Sequence, residues 1–486
     1  MSNSTVLVWF RRDLRVSDQP ALRAAADSYD TVVPVYVHAP EEEKPWEPGA
    51  ASRWWLHHSL LALDESLRRL GARLIVRRGP ALAALVTLVR ETGAQAVFWN
   101  RVYEPALIAR DMKIKQALIA EGLRAESFNA LLLREPWEVR RDGHAPYKVF
   151  TPYWKASLAL PPPAAPLGRP RLRPDALRLA SEPVDTLDLL PRVRWDQGLA
   201  RSWTPGEAAA IRRLKLFAGR ILAGYPSARD EPGLDGVSRL SPHLHFGELS
   251  PRQLWYTVQA AATEQNNERQ ADAYLRQLAW RDFAHHLLYH FPLTAERSFR
   301  PEFERFPWQP GDERLWRAWT RGATGIPLVD AGLRELWATG WMHNRVRMNV
   351  ASWLAKNAGI HWLEGARWFW DTLVDADLAN NTLGWQWTTG CGADAAPFFR
   401  IFNPVLQGRR YDPDGAYIRR WVPELAALPD AHIHAPWLTP EPELRAARVA
   451  LGRDYPFPVL DLARTRDSAL AAFRSLRRAG KAVSPR

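Results

Sequence analysis

The chain has 486 residues, with 65 Lys and Arg against 53 Asp and Glu, a formal net charge of +12. Hydrophobic residues make up 47% and charged residues 24%, a composition that excludes a disordered chain and allows two domains. The single cysteine, Cys391, excludes an internal disulfide or a cysteine zinc cluster, and no apolar run reaches the length of about 18 residues that a membrane span needs. The N-terminus, MSNSTVLVWFRRDLR, places arginines after its apolar run, the reverse of a signal peptide, so a cytoplasmic protein is expected. The basic balance suits a polyanionic partner, although an arginine-rich composition would produce the same charge without one.

Thr5–Phe10, Thr31–His38, Arg73–Arg77 and Ala96–Trp99 are short apolar, β-branched runs that read as strands. Ala21–Ser28, Ser52–Leu70 and Pro80–Thr92 lie between them with apolar residues at helical spacing, and Pro105–Glu121 leads to a strand near Glu126–Asn129. This alternation predicts an α/β domain over residues 1–131 built on a doubly wound, Rossmann-like parallel sheet. Over 132–203 the periodicity dissolves, and the proline-rich Leu160–Pro174 predicts a long connector. Thr204-Pro205-Gly206-Glu207 opens a helical region, so an all-α domain is expected over 204–470, with a basic tail at 471–486.

Chemistry concentrates in the helical region. The predicted helix Asp272–His290 puts Tyr274, Gln277 and Arg281 on one face with Trp280 at its edge, and Trp341–Trp353 aligns Asn344, Arg347 and Met348. Spacing alone does not separate a pocket from an ordinary helix pair. Tyr225 and the run Val237-Ser238-Arg239-Leu240-Ser241 precede a helix near Pro242, which suits either a phosphate cradle or a capped turn. Asp375, Asp377, Asn380 and Asn381 stand among tryptophans at 341, 353, 362, 368, 370, 385 and 387. Carboxylates and amides among aromatics are costly unless they bind something, and the mixture fits a large, flat, polar-edged ligand. No metal site is expected: His285, His286 and His290 read as one buried helix face. Gly390-Cys391-Gly392-Ala393-Asp394-Ala395 follows no strand, so it is no dinucleotide fingerprint.

The blocks Gln277-Leu278-Ala279-Trp280-Arg281-Asp282-Phe283 and Trp341-Met342-His343-Asn344-Arg345-Val346-Arg347-Met348 resemble those of the DNA photolyase/cryptochrome family, nearest its bacterial cyclobutane pyrimidine dimer photolyases. Phe10–Arg15 and Tyr147–Pro152 are similar to its N-terminal signatures, and the resemblance runs from about Thr5 to Trp437. It implies an FAD-binding all-α domain and light-dependent repair, in which reduced FAD excited by blue light passes an electron to the dimer. By the same resemblance, Trp280 and Trp387 stack on the flipped pyrimidines, Met348 packs against them, and Asn344 and Gln277 bond the base edges. Gln277 departs from the glutamate usual in dimer photolyases and matches (6-4) photolyases, whereas His343-Asn344-Arg345 and Met348 follow the dimer pattern.

Flavin contacts implied by the family are Tyr225, Val237, Ser238, Arg239, Leu240, Ser241, Tyr274, Gln277, Arg281, Asn344, Arg347, Asp375, Asp377, Asn380 and Asn381, with Asn381 near the flavin N5. Val237 replaces the family's threonine and loses a hydroxyl. Trp385, Trp362 and Trp308 match the family's electron relay, with Trp316, Trp319 and Trp370 as rival stations. Arg229, Arg281, Arg345 and Arg400, with Trp280 and Trp387, are implied to hold UV-damaged DNA. For an antenna, methenyltetrahydrofolate is expected ahead of a deazaflavin, although Ala106-Leu107 replace the folate binders' Asn-Glu pair. A monomer with no obligate protein partner is expected. A cryptochrome-like blue-light photoreceptor and a (6-4) photolyase are the alternatives.

Overall fold

Five short strands, β1 (Thr5–Phe10), β2 (Thr31–His38), β3 (Ile75–Arg78), β4 (Ala96–Asn100) and β5 (Arg124–Phe128), form one sheet in the order β3-β2-β1-β4-β5. Every pairing is parallel, with Leu7 opposite Val33 and Val97. β1 is buried along its whole length, as a central strand covered on both faces must be. The doubly wound sheet expected from the alternation is present. β3 starts two residues later than its apolar run, because the Leu74 N–H is taken by the Asp64 carboxylate at 2.8 Å instead of a neighbouring strand. The computed structural model describes residues 4–141, 145–174, 177–309 and 311–482. Residues 1–3 of the first expected domain, 142–144 and 175–176 of the connector, and 483–486 of the tail lie outside the described residues.

By packing, the chain divides into two compact units, neither continuous in sequence. The first comprises residues 1–223, 238–292 and 374–379, and the second 224–237, 293–373 and 380–486. These units cut across the segments 1–131, 132–203 and 204–470 because the loop after β1 is bonded to helical residues far along the chain. Arg15, fully buried, donates to the carbonyls of Asp18 at 2.7 Å, Gly247 at 2.8 Å, Ala130 at 3.0 Å and Ser17 at 3.1 Å. Leu14 N–H donates to Phe246 O, and Glu207 accepts from the N–H groups of Val16 and Ser17. Gly247 has φ +63°, and a β-carbon there would overlap the Arg12 carbonyl, so only glycine permits this approach. The expected connector holds a helix of its own, Phe150–Ala159, with Phe150 and Tyr153 buried.

The second unit is helical. Asp330, fully buried on the helix Pro327–Thr339, accepts from Thr324 N–H and Oγ1, Gly325 N–H and the Tyr455 hydroxyl. Glu335, one turn on, accepts from the His343 N–H at 3.3 Å and the Tyr417 hydroxyl at 2.7 Å. These bonds fix the turn that starts the helix Asn344–Ser352. The helix Leu462–Ala482 runs through residue 470, where the basic tail was expected to begin. Phe473 stacks on Phe398 with ring centres 4.6 Å apart, so this helix is packed.

Replacing Arg15 by Leu leaves four carbonyls without their donor, at about 1–3 kcal/mol for each unsatisfied group. Urea denaturation should show a loss of at least about 3 kcal/mol, with helix and sheet signals lost together.

Candidate functional site

The helix Glu268–His290 of the first unit carries the block around Trp280. Tyr274 and Arg281 are buried, and Gln277 and Trp280 are half-buried. Phe150 stacks on Trp280 with ring centres 3.8 Å apart and planes 9° from parallel, so one face of the indole is fixed by a residue of the expected connector. Arg281 is turned inward, donating to the carbonyls of Leu131 at 2.5 Å and Leu244 at 3.5 Å. A phosphate would have to displace both carbonyls to reach this guanidinium.

Ser238, Arg239 and Leu240 form a turn before the short helix Ser241–His245. Arg239 sits at φ +53°, with its guanidinium 5.8 Å from the Trp203 ring, and Arg213 Nε donates to the Ser238 carbonyl at 2.8 Å. Asp375 and Asp377 are buried in the same unit. His285 Nε2 lies 3.3 Å from the Asp377 carboxylate. Burial alone would lower His285, but the Asp377 charge outweighs it and raises the imidazole. Burial would likewise raise Asp377, but the His285 charge holds it well below the carboxylate range. The histidine expected to be core is thus the carboxylate's counter-charge. His245 Nδ1 is 3.9 Å from Asp377, too far for a hydrogen bond, and burial lowers that imidazole.

In the second unit, Tyr225 is buried and its hydroxyl raised by burial, with the Arg229 guanidinium 5.5 Å from its ring; Val237 closes the same segment. The His343 imidazole caps the helix Asn344–Ser352 through the Arg345 N–H at 3.2 Å, and burial lowers it to about 4. Asn344 is exposed in the first turn, its amide nitrogen 4.0 Å from the Met348 sulfur. Arg347 Nε donates to the Met342 carbonyl at 2.8 Å. Arg345 pairs with Asp230 at 2.7 Å and lies 4.4 Å from the Tyr411 ring, while Arg229 approaches Asp230 at 4.0 Å. On the helix Leu378–Thr389, Asn381 donates to the Ala366 carbonyl at 2.9 Å, Asn380 is exposed and Trp387 is half-buried.

Two aromatic series leave this region. Trp308 and Trp362 both contact His361, at 4.9 and 5.6 Å, which joins two of the expected relay residues through an imidazole. Trp385 is buried against Phe369 at 5.0 Å and Trp319 at 6.2 Å. From Trp319 the contacts continue through Trp316 at 5.4 Å and Trp368 at 6.1 Å to Trp337 at 6.1 Å, which is 61% exposed. Among the described residues the buried Trp385 indole N–H and His245 Nδ1 have no hydrogen-bond partner. The unmet His245 nitrogen, in the same unit as the buried Asp377 carboxylate, fits the polar rim of a flavin. Phe150, His285 and Trp337 escaped the reading of the sequence. Phe150 sits in a recognised block, His285 looked like core, and nothing in spacing marks Trp337.

The family descriptions "DNA photolyase" and "FAD binding domain of DNA photolyase" match residues 6–170 and 274–475. A deoxyribodipyrimidine photo-lyase of Agrobacterium fabrum is 44% identical over 98% of this chain and 99% of its own. Cryptochrome-1 of Arabidopsis thaliana is 42% identical over 95% of this chain and 69% of its own. The crystal structure of a bacterial class III photolyase from Agrobacterium tumefaciens superposes with a TM-score of 0.95, at 44% identity and 98% coverage of each chain. An N-terminal parallel sheet followed by a helical flavin domain defines a photolyase-type flavoprotein. The chain belongs to the DNA photolyase family.

His285 is raised, so its contribution to stability is complete below an ordinary histidine value of about 6.5 and is lost as pH rises through its own higher value. Asp377 is lowered, so its share is complete above the ordinary value of about 3.8 and is lost as pH falls from there through its own lower value. His285→Gln should cost about 3–5 kcal/mol near pH 6, as breaking a buried pair does. It should also flatten the wild-type decline above neutrality, measured as urea midpoints across pH. For the aromatic series, Trp385→Phe should stop photoreduction of the oxidised flavin. Trp308→Phe and Trp337→Phe should each leave a residual rate, and the double variant should fall to the Trp385→Phe level in flavin absorbance under blue light.

Proposed function

We propose that this chain is a light-dependent DNA repair enzyme that reverses cyclobutane pyrimidine dimers. The observation that carries the reading is a burial pattern. Gln277, Trp280, Met348 and Trp387 are half-buried and Asn344 is exposed, while Leu278, Ala279, Val346, Gln386 and Thr388 beside them are buried. All five side chains expected at the lesion are left reachable. The 44% identity with a deoxyribodipyrimidine photo-lyase, over nearly the whole of both chains, supports the same substrate.

Bound FAD, reduced and excited by blue light, supplies the electron that opens the cyclobutane ring and takes it back. The protein's part is to hold and orient. Trp280, stiffened by Phe150, and Trp387 offer π-faces to the extruded pyrimidines, Met348 packs beside them, and Asn344 and Gln277 bond their edges. A glutamine both donates and accepts, so it orients a base without furnishing a proton. Tyr225, Val237 and the Ser238–Ser241 turn cradle the pyrophosphate, and Tyr274, Gln277, Arg281, Asn344, Arg347, Asp375, Asp377, Asn380 and Asn381 bind the rest of the cofactor. Asn381, an amide that cannot release a proton to the flavin, favours the fully reduced form.

Arg229, Arg345 and Arg400 meet the phosphates, and extruding the dimer costs a few kcal/mol, least for bases that damage has already unstacked. The protein acts as a cytoplasmic monomer. No helix among the described residues is long and apolar enough to cross a membrane. For the antenna, the crevice where β1 and β4 end is filled by charge. Arg11 bonds Asp111 at 2.7 Å and the Asn100 carbonyl, and Arg12 pairs with Glu104 and with Glu43 at 3.0 Å. Open parallel sheets bind nucleotides at such a switch point. Its occupation by ion pairs supports a folate held elsewhere over a deazaflavin in the crevice. A photosensor is the second reading, favoured by the 42% identity with Cryptochrome-1.

Photoreduced holoenzyme given oligonucleotides with a cyclobutane thymine dimer or a (6-4) photoproduct should revert only the first, and only in blue light. Reversal of the (6-4) lesion would mean that Gln277 reports substrate class, and reversal of neither with flavin bound would leave the photosensor. Trp280→Ala should weaken binding of the dimer duplex about ten- to hundredfold, the loss of one base stack.

A further inference from the structure

Among the arginines expected on DNA, Arg400 differs from the others. Arg345 is paired with Asp230 and Arg229 approaches the same carboxylate, but Arg400 is exposed and has no ion pair among the described residues. It sits beside Phe399, which is 67% exposed. An exposed aromatic and a free guanidinium at a loop tip would be costly to hold in one place without support.

The support comes from the helix that carries Asn344 and Met348. That helix, Asn344–Ser352, continues into a wide turn at Trp353–Asn357. Ser352 and Lys356, one turn apart, both face the loop. Lys356 Nζ donates to the Arg400 carbonyl at 2.9 Å, and Ser352 Oγ accepts from the Phe402 N–H at 3.3 Å. The backbone is thus gripped on Arg400 and two residues beyond, which turns the Arg400 side chain outward. Phe398, 1% exposed, anchors the other side by stacking on Phe473, and its ring lies 5.1 Å from Lys356 Nζ. Lys356 is 2% exposed. Burial lowers its ammonium to about 7, with the Cys391 and Arg400 charges as the other influences. A buried amine costs stability that Met or Leu would not, and its one protein acceptor given by the geometry is the carbonyl of the free arginine.

We propose that Ser352 and Lys356 form a positioning clamp that sets the Phe399–Arg400 tip for a DNA phosphate, at a fixed distance from the lesion-contacting end of the same helix. At 1.5 Å per residue the clamp lies about 18 Å along that helix from Asn344. The proposal rests on the reading of Arg400 as a phosphate contact.

Binding of flavin-loaded protein to a short duplex carrying one cyclobutane thymine dimer tests it, between about 50 and 200 mM salt. Arg400→Ala should weaken binding and reduce the slope of log K against log salt by about 0.9, one phosphate contact. Lys356→Met should do the same while leaving flavin absorbance and the single-turnover repair rate at saturating protein unchanged. The double variant should bind no more weakly than Arg400→Ala alone, because the clamp acts only through that side chain. Ser352→Ala should give a smaller loss and Ser352→Thr, which keeps the acceptor, none; this pair carries the test if Lys356→Met fails to fold by thermal melting. An unchanged Arg400→Ala overturns the DNA reading of the loop and the proposal with it. A weakened Arg400→Ala beside unchanged Lys356→Met and Ser352→Ala, or additive losses in the double variant, overturns the clamp alone.

Discussion

The first unit depends on burying the charged loop that follows β1. Phe10-Arg11-Arg12-Asp13-Leu14-Arg15 leaves the sheet at the centre of its edge, where both neighbours, β2 and β4, end. Arginines there would be expelled to solvent unless each guanidinium met acceptors. Arg11 has Asp111 and Asn100, Arg12 has Glu104 and Glu43, and Arg15 has four carbonyls. Those acceptors come from the loop itself, the end of β4, the segments that follow β2, β4 and β5, and the helical residues near 247. Satisfying one short run of arginines therefore ties distant parts of the chain into one packed body. The tie reaches the site because Leu240–His245 and Gly247 belong to the same stretch as the Ser238–Ser241 turn.

A second constraint is the treatment of buried charge near the expected flavin. Asp377 would cost several kcal/mol if buried alone, and His285 supplies the compensating charge. An imidazole, unlike a guanidinium, makes that compensation depend on pH. In the second unit the polar groups of Asp330, Glu335 and His343 are spent on backbone N–H groups and hydroxyls. They hold one helix start in place, and the exposed Asn344 is the consequence. Rigid support beneath a reachable side chain is what a recognition site needs.

Aromatic residues serve different ends in the two units. Phe150 on Trp280 is a brace, since stacking fixes the plane of the indole. The series from Trp385 through Trp319, Trp316 and Trp368 to Trp337 is a contiguous run of rings ending at solvent. Tryptophan count alone, 24 in this chain, could not have separated a braced indole from a continuous ring series.

Local patterns were enough for the strand–helix alternation, the parallel sheet and the helical remainder, because burial on both faces writes continuous apolar runs and amphipathic helices write their period. The family resemblance named Trp280, Asn344 and Asp377 because those residues sit in contiguous blocks. What tertiary structure alone decided were pairings across long separations. Arg15 finds residue 247, Phe150 finds Trp280, His285 finds Asp377, and Lys356 finds the Arg400 carbonyl. Periodicity reports which face of an element is apolar, but not which distant polar group will meet it. That choice belongs to the packed fold, where each buried donor must find an acceptor.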